Sequence, residues 1–317
     1  MTTETVYHEG EDAVQARAGV KQRTRMTERA ISDRIPDSAR SFIAAQPMLV
    51  IGSVGCNDDV WASVLFGPAG FIQAPDDRSV MVDIAAAQSA AGDPLWENLR
   101  CHPQLVGLLV IELASRRRLR INGQLRALSA TRWLIDVDTA YANCPKYIQR
   151  RHWVAPQVER PSVPATARGG TELESSHLTW IASADTCFVA SAHPRQGADA
   201  SHRGGRPGFV QVLGTRTLRI PDYPGNNFFN TLGNFVSYPH AGLSFIDFER
   251  GRLLQLRGQP RILWDVDDAQ HQTGGTRRAW QIEVAAWRES VIPCPLDWEF
   301  LDYSPYLPTD LNGTGRR

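Results

Sequence analysis

The sequence predicts a mainly β chain with flanking helices (an α+β class), built as two tandem barrel modules. Three observations predict it. The chain has 317 residues, about twice the ~150 of a common domain. Short β-rich runs bounded by Gly, Pro, Asn or Asp fill its first half. After a Pro- and Gly-rich stretch, the order of those runs recurs.

Residues 1–45 read as a helical segment. Residues 11–17 and 26–35 are rich in Ala, Glu, Gln and Arg, and Pro36 is placed to stop the second run. A first module follows over 46–155, with strands expected at 48–53, 61–66, 79–84, 107–113 and 118–128. Residues 156–176 carry Pro156, Pro161, Pro164 and Gly169-Gly170, which is linker composition. The second module occupies 177–317 and includes a C-terminal extension.

Five echoes link the halves. Ile51-Gly-Ser53 matches Ile181-Ala-Ser183. Ser63 precedes Gly70-Phe71 by seven residues, as Ser201 precedes Gly208-Phe209. Asn98 and Pro103 match Asn234 and Pro239, and Val106-Gly-Leu108 matches Ala241-Gly-Leu243. Gly123-Gln124 in a Leu-rich strand matches Gly258-Gln259. Two such modules in one chain mimic a two-fold dimer, whose shared cleft is a natural ligand pocket.

Lys+Arg and Asp+Glu balance at 34 each, so nucleic acid and an anionic membrane are not expected as partners. The expected partner is a small-molecule substrate or electron donor, with a homodimer left open. Cys56, Cys101, Cys144, Cys187 and Cys294 are scattered singly, which argues against a disulfide framework or a zinc site and favours a reducing cytoplasm. No metal is expected, since none of the eight histidines has metal-ligand spacing. His8 reads as a capping or surface residue.

The densest polar stretch is 199–210, with Ser201, His202, Arg203 and Gly204 on a strand-like run. Glycine admits a ligand to the backbone, and Arg supplies planar donors suited to phosphate. A solvated hairpin is the bland alternative. Downstream, Ile220-Pro-Asp-Tyr-Pro-Gly-Asn-Asn227 leads into a helical turn, where Asn226 or Asn227 is placed to cap the helix or donate to an anion at its N-terminus. The matching stretch 83–98 has Ala and Gln there instead. A Ser-His-Asp reading of Asp199, Ser201 and His202 fails, because neighbours on a strand point to opposite faces.

These residues resemble the pyridoxamine 5'-phosphate oxidase-like family of FMN-binding split β-barrels, in particular a predicted flavin-nucleotide-binding subgroup with the Pro-Gly-Asn-Asn sequence. Tyr7-His-Glu-Gly-Glu11, the run 13–20 and Asn143-Cys-Pro-Lys-Tyr-Ile-Gln-Arg-Arg151 carry the same resemblance, which spans roughly residues 7–264. It implies two split barrels forming a pseudo-dimer with FMN between them. Ser201, Arg203 and Gly204 would lie on the first phosphate strand and Asn226 and Asn227 on the second phosphate turn. Arg118, Lys146, Tyr147 and Gln149 would form the opposing wall. Phe228 stands where relatives commonly place a cation. The resemblance implies a flavin-dependent oxidoreductase of unknown substrate, with a non-catalytic flavin carrier and a ligand-free scaffold as alternatives. Trp280, Trp287, Arg288 and Trp298 are candidates to cover a planar ring, with packing in a core or interface as the alternative for the tryptophans.

Overall fold

The computed structural model of the protein describes residues 6–100, 104–154, 167–292 and 297–308. Helices α1 (Glu9–Arg17), α2 (Lys21–Thr27) and α3 (Asp37–Ala44) lead into β1 (Met48–Val54), β2 (Val60–Phe66), β3 (Ile72–Gln73), β4 (Ser79–Asp83) and β5 (Gln88–Ser89). Helix α4 (Leu95–Asn98) precedes β6 (Leu105–Glu112), β7 (Arg117–Ser129), β8 (Arg132–Ala142) and β9 (Arg150–Val154). Next come β10 (Ala167–Gly170), α5 (Ser175–Ser183), β11 (Thr186–His193), β12 (Gly197–Gly204), β13 (Gln211–Val212) and β14 (Thr217–Pro221). The chain continues through α6 (Asn230–Ser237), β15 (Ala241–Asp247), β16 (Arg252–Leu263), β17 (Ala279–Val291) and β18 (Asp297–Asp302).

The protein is mainly β. One antiparallel sheet runs β3-β4-β8-β7-β6-β1-β2-β5, and a second runs β13-β14-β17-β16-β15-β11-β12 with β10 also on β17. Strand for strand, the first seven positions of the two orders match. Registers match too: Ile51 pairs with Ser63 and Gly52 with Ala62, as Val189 pairs with Ser201 and Ala190 with Ala200. Both long hairpins bulge at the same place, before Gly123 and before Gly258. A side chain at either glycine would run into the carbonyl oxygen across the bulge, of Asp136 or of Glu283.

Each sheet folds over its own apolar core, one built on Leu49, Ile51, Leu65, Leu108 and Ile135, the other on Val189, Leu218, Leu243, Leu256 and Trp280. Full burial of each such side chain stabilises by roughly 1.5–3 kcal/mol. A third cluster, including Val50, Val64, Leu109, Phe188 and Leu253, joins the sheets. There the backbones meet so closely that a Cβ at Gly52 would lie 2.5 Å from the Asp199 carbonyl oxygen.

Four elements depart from the sequence reading. Residues 181–183 end helix α5, so the counterpart of Ile51-Gly-Ser53 is Val189-Ala-Ser191. Three residues are too few to distinguish helical from strand periodicity. Pro36 starts α3 rather than stopping a helix, its φ of −60° suiting an N-cap, and residues 31–36 are non-helical, with Ser32 bridged to Ala140 and a bend at Asp33 and Arg34. Part of the expected linker, Ala167–Gly170, is a strand on β17, whereas 155–166 lie outside the described residues. Finally, Cys56 is disulfide-bonded, while Cys144 and Cys187 are free. Spacing alone does not reveal a bridge that folding brings together. Among the described residues no helix is long and apolar enough to cross a membrane.

Helix α1 packs on α6 of the second half. Gly10 abuts the Gly233 carbonyl, and Val14 joins the second core. His8 is buried and caps α1, its Nδ1 accepting from the Gly10 N–H at 3.1 Å.

Candidate functional site

Between the two sheets lies an open cleft, about 900 Å³ counted out into open solvent. β7 contributes Arg118 and Arg120, two residues apart and so on one face. The segment after β8 contributes Asn143, Cys144, Lys146 and Tyr147. β12 contributes Ser201, Arg203 and Gly204, and the run from Asp222 to Thr231 closes the opposite side.

Arg118 and Arg203 define the electrostatics. Arg118 donates through Nε to the Cys144 carbonyl at 3.0 Å, and Arg203 through Nη1 to the His202 carbonyl at 3.1 Å. Neither forms an ion pair with a carboxylate among the described residues. Burial lowers the Arg118 guanidinium to about 10, the neighbouring Cys144 opposing and Arg203 adding to the shift. Arg203 is also lowered, first by burial, against the pull of Asp222 and with the repulsion of Arg120. Asp222 is itself engaged by Arg278 at 3.0 Å. Two partly buried cations thus face one space in which the lining carboxylate, Asp222, is paired to Arg278 and to neither of them, an arrangement that an anion relieves.

Arg120 is held differently. It pairs with Asp199 at 3.4 Å, donates to the Ala200 carbonyl and the Tyr141 hydroxyl, and reaches the Ser201 hydroxyl. Ser201 in turn lies 3.0 Å from the Thr231 hydroxyl. Thr231 stands in the first turn of α6, whose N-cap, Phe229, has a left-handed φ of 61° and offers no side-chain acceptor. The helix N-terminus therefore presents unpaired N–H groups towards the cleft. Tyr147 (φ 69°) and Asn227 (φ 65°) are left-handed too. Such backbone in Tyr and Phe is costly and concentrates at functional sites.

The structure brings Ser201, Arg203, Gly204, Asn226, Asn227, Arg118, Lys146 and Tyr147 together around this space. Asn226 donates to Asn143 Oδ1 at 3.0 Å and accepts from the Phe228 N–H at 3.1 Å. It tethers the turn rather than capping α6, which starts at Asn230. The Asn143 Nδ2 is buried without a partner. The Lys146 Nζ lies 5.8 Å from the Tyr306 ring centre, and the Tyr147 hydroxyl donates to the Pro224 carbonyl at 2.9 Å. Gly204 is needed for packing, since a side chain there would strike the Tyr147 carbonyl oxygen.

Two expected residues do not present a side chain for a ligand. His202 borders the cleft, but its ring lies edge-on to Phe188 with both ring nitrogens buried and unpartnered. Burial, then Arg118, Arg203 and Arg151, push its pKa well down, so it is neutral. Gln149 is fully buried, donating to the Gly205 carbonyl and accepting from the Ser304 N–H. It staples distant loops. Phe228 turns into a cluster with Tyr7 and Tyr141, and the cations that line the cleft are Arg118, Arg120, Lys146 and Arg203. Trp280 and Trp287 sit in the second core and Trp298 packs on Phe248; none lines the cleft.

No protein-family model matches the chain, and no curated protein matches it. Among solved structures, a singly substituted form of HupZ from Group A Streptococcus is similar at 15% identity and a TM-score of 0.30, over 36% of this chain and 97% of that one. A candidate pyridoxamine 5'-phosphate oxidase from Lactobacillus delbrueckii is similar at 10% identity and a TM-score of 0.30, over 37% and 93%. An F420 reductase is similar at 15% identity and a TM-score of 0.29, over 36% and 98%. At these TM-scores none of the likenesses assigns a function.

Proposed function

We propose that the chain is a tandem pair of split-barrel modules that binds FMN in the cleft between them and acts as a flavin-dependent oxidoreductase. The observation that carries this reading is the pair Arg118 and Arg203, facing one cleft without a carboxylate partner. Charge-assisted bonds from such guanidiniums to a phosphate are the strong kind. The uncapped α6 N-terminus and the orphaned Asn143 amide fit the same anion. The residue pattern shared with flavin-nucleotide-binding split barrels selects FMN among the anions this site could hold.

On this reading Arg203, Ser201 and the first turn of α6 hold the phosphate, while Arg118, Lys146 and Tyr147 border the ring. Bound FMN supplies the hydride chemistry. The protein's part is to bind, orient and exclude water, and the reading requires no general acid from the chain.

The test is a visible absorbance spectrum of the purified protein, followed by FMN titration monitored by tryptophan fluorescence. Flavin bands or saturable quenching support the reading, and NAD(P)H turnover by the loaded protein then separates an enzyme from a carrier. A colourless protein indifferent to FMN overturns it.

A further inference from the structure

A second pocket, about 880 Å³ with its mouth, opens behind the wall of Phe209, Pro221 and Tyr223 that it shares with the first cleft. Arg219 of β14 lines it. Its strand neighbours are Gln211 and Gln281, both uncharged. Its Nε is shielded from solvent and has no hydrogen-bond partner. Among the described residues no carboxylate pairs with Arg219, although the comparable half-buried guanidiniums of Arg151, Arg252 and Arg278 are paired with Asp185, Glu289 and Asp222.

A surface arginine normally satisfies Nε with water, and a covered, unpaired one is costly unless a ligand completes it. A second cation, Arg206, stands on the same rim, its guanidinium 4.9 Å from the Tyr303 ring centre. The carboxylate lining the pocket, Asp267, accepts from the Ala269 N–H at 3.2 Å. In the first sheet Met81, opposite Gln73, takes the place of Arg219, opposite Gln211. The charge is therefore specific to the second half.

We infer that this pocket binds a second anionic small molecule, a phosphate-bearing organic ligand whose acid group sits on Arg219 and Arg206 and whose body lies against Phe209 and Pro221. The inference stands whether or not the first cleft holds a flavin. The test uses ADP as probe, titrated calorimetrically into the full chain carrying both Arg118→Leu and Arg203→Leu, so that the first cleft is disabled. Binding is expected there, weakened at least about tenfold by adding Arg219→Met and partly restored by Arg219→Lys. Circular dichroism checks the fold, and Arg219→Gln replaces the methionine variant if that one does not fold. No binding to the Arg118→Leu/Arg203→Leu chain at millimolar ADP overturns the inference. So does binding that the Arg219 substitutions leave unchanged.

Discussion

The interface between the sheets has two ends related by the shared strand order, and among the described residues the end at β12 and β7 carries the charged cleft. On β12 the residues are Ser201, His202, Arg203 and Gly204. The corresponding positions of β2 carry Ser63, Val64, Leu65 and Phe66. Arg118 of β7 corresponds to Leu253 of β16, and Arg120 to Gln255. Leu65, Phe66 and Leu253 are buried and fill the space that Arg203, Gly204 and Arg118 leave open. Gln255 repeats the bonding of Arg120 without its charge, donating to the Ala62 carbonyl and towards Ser63 and Asp93. One end keeps charge and space at a cost in stability, and the other closes over a neutral-donor polar network in which Gln255 Nε2 is satisfied and its Oε1 is left without a partner.

The comparison is broken most directly by giving the open end the residues of the closed one. Arg203→Leu is expected to weaken FMN binding by about 1.5–3 kcal/mol, and the double change with Arg118→Leu to abolish measurable quenching. Because two uncompensated charges are replaced by apolar side chains, the ligand-free double variant is expected to melt at a higher temperature than the parent. Retained affinity, or a lowered melting temperature, would contradict the account of the open end.

At the closed end, Asp93 accepts from Ser63, from the Leu95 N–H and from Gln255. Asp93→Ala leaves those donors buried and unsatisfied, at a cost of about 2–3 kcal/mol in chemical denaturation. FMN affinity is expected to stay at the parent value, since no residue of this network lines the cleft. A loss of affinity as large as that of Arg203→Leu would show that the two ends are not separate.

A third difference is helix α1, which covers α6 and places Glu11 beside Asn230 of the cleft wall. Burial, reinforced by Asp199, raises the Glu11 carboxyl from 4.5 to about 8. Between those values the folded chain holds a proton that the unfolded chain releases, so this group makes stability fall as pH rises from about 5 to about 8. Glu11→Gln is expected to remove that component, and the gap between variant and parent should change by up to about 4 kcal/mol across the window. Parallel stability curves for the two proteins would mean that Glu11 is charged throughout.

Much of this was legible in the sequence. The strands of the first half announce themselves through β-branched runs bounded by turn residues, and the Ser201 to Gly204 run is conspicuous because a hydroxyl, an imidazole and a guanidinium stand together on one short strand. Strand alternation, applied to that run, also separates His202 from its neighbours, and applied to Arg118 it points to Arg120. Gln149 and the α1 contact were not legible. Gln149 is defined by bonds to residues 185 and 205, and Gly10 by its approach to Gly233. Such contacts join segments far apart in the chain, and no local propensity records them.

The smallest expected effect concerns the turn that the first half lacks. Asn226 spans the cleft edge, bonding Asn143 of the first half and the Phe228 backbone N–H of its own turn. Asn226→Ala removes both bonds and releases the left-handed Asn227 and Phe229 from their tether. Stability should fall by about 1 kcal/mol, since the site is partly exposed and water replaces the lost partners. If the tether orders the α6 N-terminus for the phosphate, FMN affinity should fall by a similar amount, with inorganic phosphate relieving quenching at proportionally lower concentration. Equal stability loss with unchanged FMN affinity would make Asn226 a brace between the halves and leave the anion to the arginines.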